Sequence, residues 1–186
     1  MQSTLGWALK EWDIVCGALL AGEQALLLRK GGILEAENQF VLEHAQFFLF
    51  PTFIHQDPAG TKPQWRAKIQ MVRAEPERIT LAGWAEAVEV FEVPDRKRMD
   101  ELSGCHIWDK ALLDMRFGYR PEKPLFLVVV RAHRLAAPVV IENTLAYAGC
   151  KSWVPLEEAV DVRESMAVGE EKVQETLERV RAVFRA

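Results

Sequence analysis

The residues with the most chemical promise lie between Glu43 and Gln56, in the run Glu-His-Ala-Gln-Phe-Phe-Leu-Phe-Pro-Thr-Phe-Ile-His-Gln. It gathers four phenylalanines, two of the chain's four histidines and two glutamines around one Pro-Thr step. Aromatic walls from which a few polar groups emerge are the usual lining of ligand pockets. On a strand, Phe48 and Phe50 share one face and Phe47 points the other way. With one face in the core, Phe48 or Phe53 would stack on a flat base, while Thr52, His55 and Gln56 would read its polar edges. His55 also suits a hydrogen-bond donor or general base, as does His44, with Glu43 or Asp57 in support. The spacing of His44 and His55 matches no HxxxH or HxH metal pattern, so no metal site is expected.

A second group is cationic. Arg29-Lys30 precedes Gly31-Gly32, which would let main-chain amides approach an anion while the side chains neutralise it. The glycine spacing matches neither a P-loop nor a dinucleotide fingerprint. Arg116 and Arg120 flank the end of a predicted helix and complete the set of phosphate-holding candidates. Cys105 and His106 bring a thiol and an imidazole together, but adjacent residues rarely point at each other and no nucleophile-family surround accompanies them. Glu157-Glu158 and Glu170-Glu171 fall on solvated faces. No Gly-x-Ser-x-Gly elbow occurs, and the strand around Lys68 has Arg66 where a nuclease would carry its glutamate.

These groups need a scaffold. A length of 186 residues with 49% hydrophobic and 27% charged residues supports one ordinary folded domain. The reading is one unit over 1–168, with a C-terminal helix over 169–186 packed on it or on a partner. Net charge is −4, unevenly spread: residues 58–134 carry 14 basic against 11 acidic side chains, while both flanking segments are acidic. That excess is too weak for broad duplex binding through phosphates, though sufficient for a pocket taking one nucleotide. Three cysteines without a CxxC pair suit a reducing cytosol. Ile14–Ala21 resembles a signal core, but Glu11 and Asp13 stand where basic residues belong, and no run is long enough to span a bilayer. A soluble, cytoplasmic protein without membrane contact is expected.

Local patterns give the elements. Leu5, Ala8, Leu9 and Trp12 predict a short helix over 4–12. Val15–Leu20 and Ala25–Arg29 read as a hairpin turned by Gly22, residues 33–46 as loop or short helix, and Phe47–Phe50 as a strand stopped by Pro51. Residues 56–63 are turn-rich and would lie over a site. Apolar residues at 69–72 and 79–93 follow. Asp95 caps a helix to Leu102, and Trp108, Ala111, Leu112 and Met115 mark another ending at Gly118. Leu125–Val130 is a buried strand, Val139–Ile141 another, and Pro155 opens a helix. Val173, Leu177, Val180 and Phe184 form the inner stripe of the last helix. Without regular strand–helix alternation the class is α+β: a twisted, mainly antiparallel sheet that could curve into a barrel-like form, flanked by helices.

The stretches Trp7–Trp12, Leu26–Ile33, Phe48–Phe53 with His55-Gln56, and His106–Trp108 resemble an uncharacterised prokaryotic family, domain of unknown function 1802. The likeness continues through Arg116-Phe117, Pro121–Leu125 and Gly149–Trp153, covering most of residues 5–157. That resemblance brings no established activity. Some members are joined to a restriction-endonuclease-like domain, which implies a setting beside DNA restriction and a nuclease subunit as partner. Three functions follow as expectations. The first is a nucleic-acid or nucleotide-binding module reading one unpaired or modified base. The second is a nucleotide- or nucleic-acid-directed hydrolase, and the third a structural partner subunit docking through the last helix. No cofactor is indicated.

Overall fold

The computed structural model describes residues 3–30, 35–36, 39–40, 42–149 and 151–185. The fold is α+β, with a seven-stranded, mostly antiparallel sheet flanked by five helices. The strands are β1 (Thr4–Trp12), β2 (Leu26–Arg29), β5 (Gln46–Thr52), β6 (Arg78–Glu92), β7 (Phe126–Glu142), β8 (Trp153–Asp161) and β9 (Ser165–Val168). Two-residue strands β3 (Glu35–Ala36) and β4 (Gln39–Phe40) pair separately. The helices are α1 (Asp13–Leu20), α2 (Pro63–Arg66), α3 (Arg96–Glu101), α4 (Lys110–Gly118) and α5 (Glu170–Arg185). Strand order is β2-β7-β6-β5-β1-β8, with β9 also on β7. β1 and β5 run parallel; every other pairing is antiparallel.

The sheet is not closed, yet it curls strongly. β2 and β1 are separated by three strands, about 19 Å across a flat sheet, but Arg29 of β2 reaches Glu11 of β1 at 2.9 Å. Curling makes two cores. Phe47 and Leu49 of β5 join the larger one, under α1, α4 and α5. Phe48 and Phe50 enter a second cluster with Leu5, Leu81, Trp84 and Tyr147. The alternation predicted for the phenylalanines is therefore present, and both faces are buried. Trp84 and Leu81, three residues apart, both join this cluster, and the register with β7 breaks between Leu81 and Gly83, where the partner changes from Val139 to Arg134.

Several local expectations are overturned. Residues 4–12 form a strand because β5 and β8 hydrogen-bond both its edges, and the irregular register at Gly6 breaks the alternation that would have revealed it. Val15–Leu20 is helical, not half of a hairpin. Its apolar side chains are buried, and the Gln56 side-chain oxygen accepts from Ile14 N–H at 2.8 Å in the first turn. Gly22 (φ 71) ends it, with Gly22 N–H donating to Leu19 O and Glu23 N–H to Ala18 O. Pro51 does not stop β5; β6 pairs only with residues 46–48, so no partner on that side needs its missing N–H. Residues 69–72 form no strand. Pro155 lies in edge strand β8, where proline is tolerated, instead of opening a helix.

Other expectations agree with the fold. The Asp95 carboxylate accepts from Arg98 N–H at 2.8 Å and starts α3. Val173, Leu177 and Val180 of α5 are buried in the larger core, and Phe184 meets Phe91 edge-on. No helix among the described residues is long and apolar enough to cross a membrane.

The start of α5 is locked by backbone contact. A Cβ on Gly169 (φ 64) would stand 2.7 Å from the Cα of Gly22. Gly169→Ala combines left-handed strain with a backbone clash. It should cost about 2–4 kcal/mol, read as a lower urea midpoint. An unchanged midpoint would show that the two glycines do not fix the helix.

Candidate functional site

The parallel pairing sets Trp12 beside Thr52, so β1 and β5 end together. Beyond Phe48, β5 has left β6. A cleft of about 590 Å³ opens there. Its walls come from Lys10 to Trp12, from Phe50 to His55, and from the turn at 143–149. Arg29 enters from β2 and Arg116 from α4, while Glu75 and Lys151 stand at the margin.

Its carboxylates are already engaged. Glu11 Oε2 pairs with Arg29 Nη2 at 2.9 Å, and Oε1 accepts from Trp12 N–H at 2.8 Å. Glu75 accepts from Phe53 N–H and Ile54 N–H, each at 3.0 Å. The cations are less committed to acids. Arg29 also donates to Lys10 O at 3.1 Å. The Lys10 ammonium donates to the carbonyls of Tyr147 and Gly149, tying the turn to β1. Arg116 is half-buried, and its enclosed Nε–H has no acceptor among the described residues. Burial pushes its pKa down; Glu11 opposes this and Arg29 adds to it. Thr52 donates its hydroxyl to Glu11 O at 3.0 Å.

Arg29, Thr52, His55 and Arg116 therefore share the cleft. Lys30 does not line it; its ammonium donates to Arg116 O at 2.9 Å and Phe117 O at 3.2 Å, capping the end of α4. Gly31 and Gly32 lie outside the described residues. Phe48 is 0% exposed, so a base could stack on it only by displacing core. Phe53 is half-buried against the same cluster. Gln56 is buried, and its amide also donates to Gln70 O at 3.4 Å. His44 stacks on Trp7 at 4.2 Å and meets Trp153 edge-on at 5.2 Å, away from the cleft lining. Its pKa is lowered by burial against the opposing charge of Glu43. Asp57 accepts from Ala59 N–H and caps a local turn. Arg120 is exposed, with its guanidinium 5.2 Å from the Tyr119 ring centre.

Sequence reasoning missed Lys10, Glu11, Trp12, Glu75 and the 143–149 turn. Reading 4–12 as a helix concealed that Lys10 and Trp12 share a strand face. Nothing local marks Glu75, whose role rests on two amides more than 20 residues away.

Cys105 and His106 make no nucleophile pair. Burial raises the thiol pKa and pushes the His106 pKa down to about 3, assisted by the nearby Lys62. Neither His106 ring nitrogen has a well-formed hydrogen bond among the described residues. No group of three or more His, Cys, Asp or Glu among the described residues could hold a metal.

The crystal structure of ASCH from Zymomonas mobilis aligns with 92% of this chain and 93% of its own, at 11% identity and TM-score 0.45. A serine-to-alanine mutant of that protein aligns over 92% and 94%, at 11% identity and TM-score 0.43. No curated protein matches the chain. The family, Domain of unknown function (DUF1802), matches residues 8–179, and the chain belongs to it. That match extends into α5, beyond the stretch where the motifs alone suggested the likeness.

Two stability predictions follow from these side chains. Gln56→Leu leaves the Ile14 N–H unpaired in the interior and should cost about 1–3 kcal/mol in chemical unfolding. His106 binds its proton in the unfolded chain near pH 6.5 but in the folded one only near 3. Stability should thus fall as pH drops below 6.5, by up to about 1.4 kcal/mol per pH unit. Urea midpoints of His106→Leu between pH 4 and 7 should lack this slope; parallel profiles would refute it.

Proposed function

We propose that the protein is a nucleic-acid-binding module receiving one unpaired or modified base in the cleft at the ends of β1 and β5. The restriction setting implied by the family resemblance is part of this reading. What carries it is the imbalance inside the cleft: both carboxylates are occupied by internal partners, while Arg29, Arg116, Lys10 and Lys151 outnumber them. The volume lies within the ordinary range for small-ligand pockets. Trp12 supplies a ring, and His55 supplies a polar edge at the mouth. Leu145, 92% exposed, and Ile54 stand on the rim, where an apolar side chain could fill the gap left by an extruded base. A chain of net charge −4 would bind through this local basic hole instead of a broad basic face.

Fluorescence anisotropy with a labelled single-stranded 12-mer tests the reading. Binding should weaken with salt, with a slope near −0.7 per neutralised phosphate. Leu145→Glu and Lys151→Glu change exposed positions and should each weaken binding about tenfold. Absence of binding at low salt, or both variants binding like the parent, would refute it.

A further inference from the structure

We propose that Arg116 is the seat of a phosphate oxyanion at the inner end of the cleft, matched to the single charge of an internal phosphodiester. The assignment deepens the nucleic-acid reading and rests on it for the identity of the strand.

Three charged side chains meet at this end: Glu11, Arg29 and Arg116. Arg29 and Glu11 neutralise each other, at 12% and 11% side-chain exposure. Each Glu11 oxygen already holds a partner, Arg29 on one and the Trp12 amide on the other, and Glu11 acts on Arg116 only as a nearby charge. The remaining carboxylate of the cleft, Glu75, is committed to the amides of Phe53 and Ile54. Arg116 thus has no hydrogen bond or ion pair from its guanidinium among the described residues. Its Nε–H and that of Arg29 are both enclosed without acceptors.

A sheltered charge without a counter-ion is costly, and a protein ordinarily pairs it. The group placed here is a planar fork of N–H donors, the geometry that fits phosphate oxygens in pairs. Its position is fixed from behind, since Lys30 holds the carbonyls of Arg116 and Phe117. Two guanidiniums and one carboxylate leave one uncompensated positive charge. An internal phosphodiester carries one negative charge, so it balances these three side chains, while Lys10 and Lys151 stand elsewhere in the cleft lining.

The experiment is thermal unfolding of the whole chain at constant ionic strength, with chloride replaced by inorganic phosphate, by acetate, or with a thymidine trinucleotide lacking terminal phosphates. The parent protein should gain about 2–5 °C at ten times the dissociation constant of phosphate or trinucleotide. Arg116→Gln should melt no lower than the parent in chloride, because it removes an unpaired charge, and should not respond to either probe. Arg116→Lys, which keeps the charge but loses the fork, should bind about tenfold more weakly, and Arg120→Gln, at an exposed position outside the cleft lining, should still respond. A full response in Arg116→Gln overturns the seat. So does a parent that ignores phosphate and trinucleotide while Arg116→Gln melts lower, which would make Arg116 a packing residue. An equal response to acetate would also overturn it, in favour of a carboxylate ligand. Phosphate binding without trinucleotide binding would uphold the seat and refute the nucleic-acid reading. Trinucleotide binding unchanged in Arg116→Gln would do the reverse.

Discussion

The ion pair between Arg29 and Glu11 joins strands that the sheet order keeps far apart. β2 is one edge of the sheet, and β1 lies beyond three intervening strands. For their side chains to meet at 2.9 Å, the sheet must bend until its β2 edge faces β1. The pair is sheltered, so removing either partner would strand the other as an uncompensated charge. The bend, the second core inside it and the cleft at its mouth all depend on this closure.

The parallel pairing of β1 and β5 supplies the other half of the geometry. Parallel neighbours need a crossover, and here the crossover includes α1 and β2, which carries Arg29 across to Glu11. Because the two strands run the same way, their ends leave the sheet side by side. Main-chain groups there are met by side chains: Thr52 donates to Glu11 O, and the Arg29 guanidinium to Lys10 O. The cleft is thus a consequence of strand direction, with its polar lining used partly to complete the ladder.

That division of labour explains why so much charge in the cleft is silent. Glu11 and Glu75 hold structure, Lys10 ties down the 143–149 turn, and Lys30 serves the end of α4. What remains is positive in a chain whose total is negative. A small cavity with low-dielectric walls concentrates such a field more effectively than the same charges on an open surface.

Sequence by itself determined the α+β class, the Asp95 cap, the buried strand within β7, the amphipathic α5 and the alternation of Phe48 and Phe50 against Phe47. Each depends on neighbours within about one turn or one pleat, where side-chain spacing and capping chemistry act directly. It also brought Arg29, Thr52, His55 and Arg116 forward as candidates. Tertiary structure decided the rest. Leu5, Ala8, Leu9 and Trp12 have helical spacing, but two flanking strands satisfy that backbone as β1. Val15–Leu20 is apolar on all sides and so fits either a buried strand or a buried helix; Gln56, some 40 residues on, helps settle it. Arg29 and Lys30 are adjacent cations of similar chemistry, yet one faces the cleft and the other caps a helix. Their difference arises from what the curled sheet places opposite each side chain, and no local pattern encodes that.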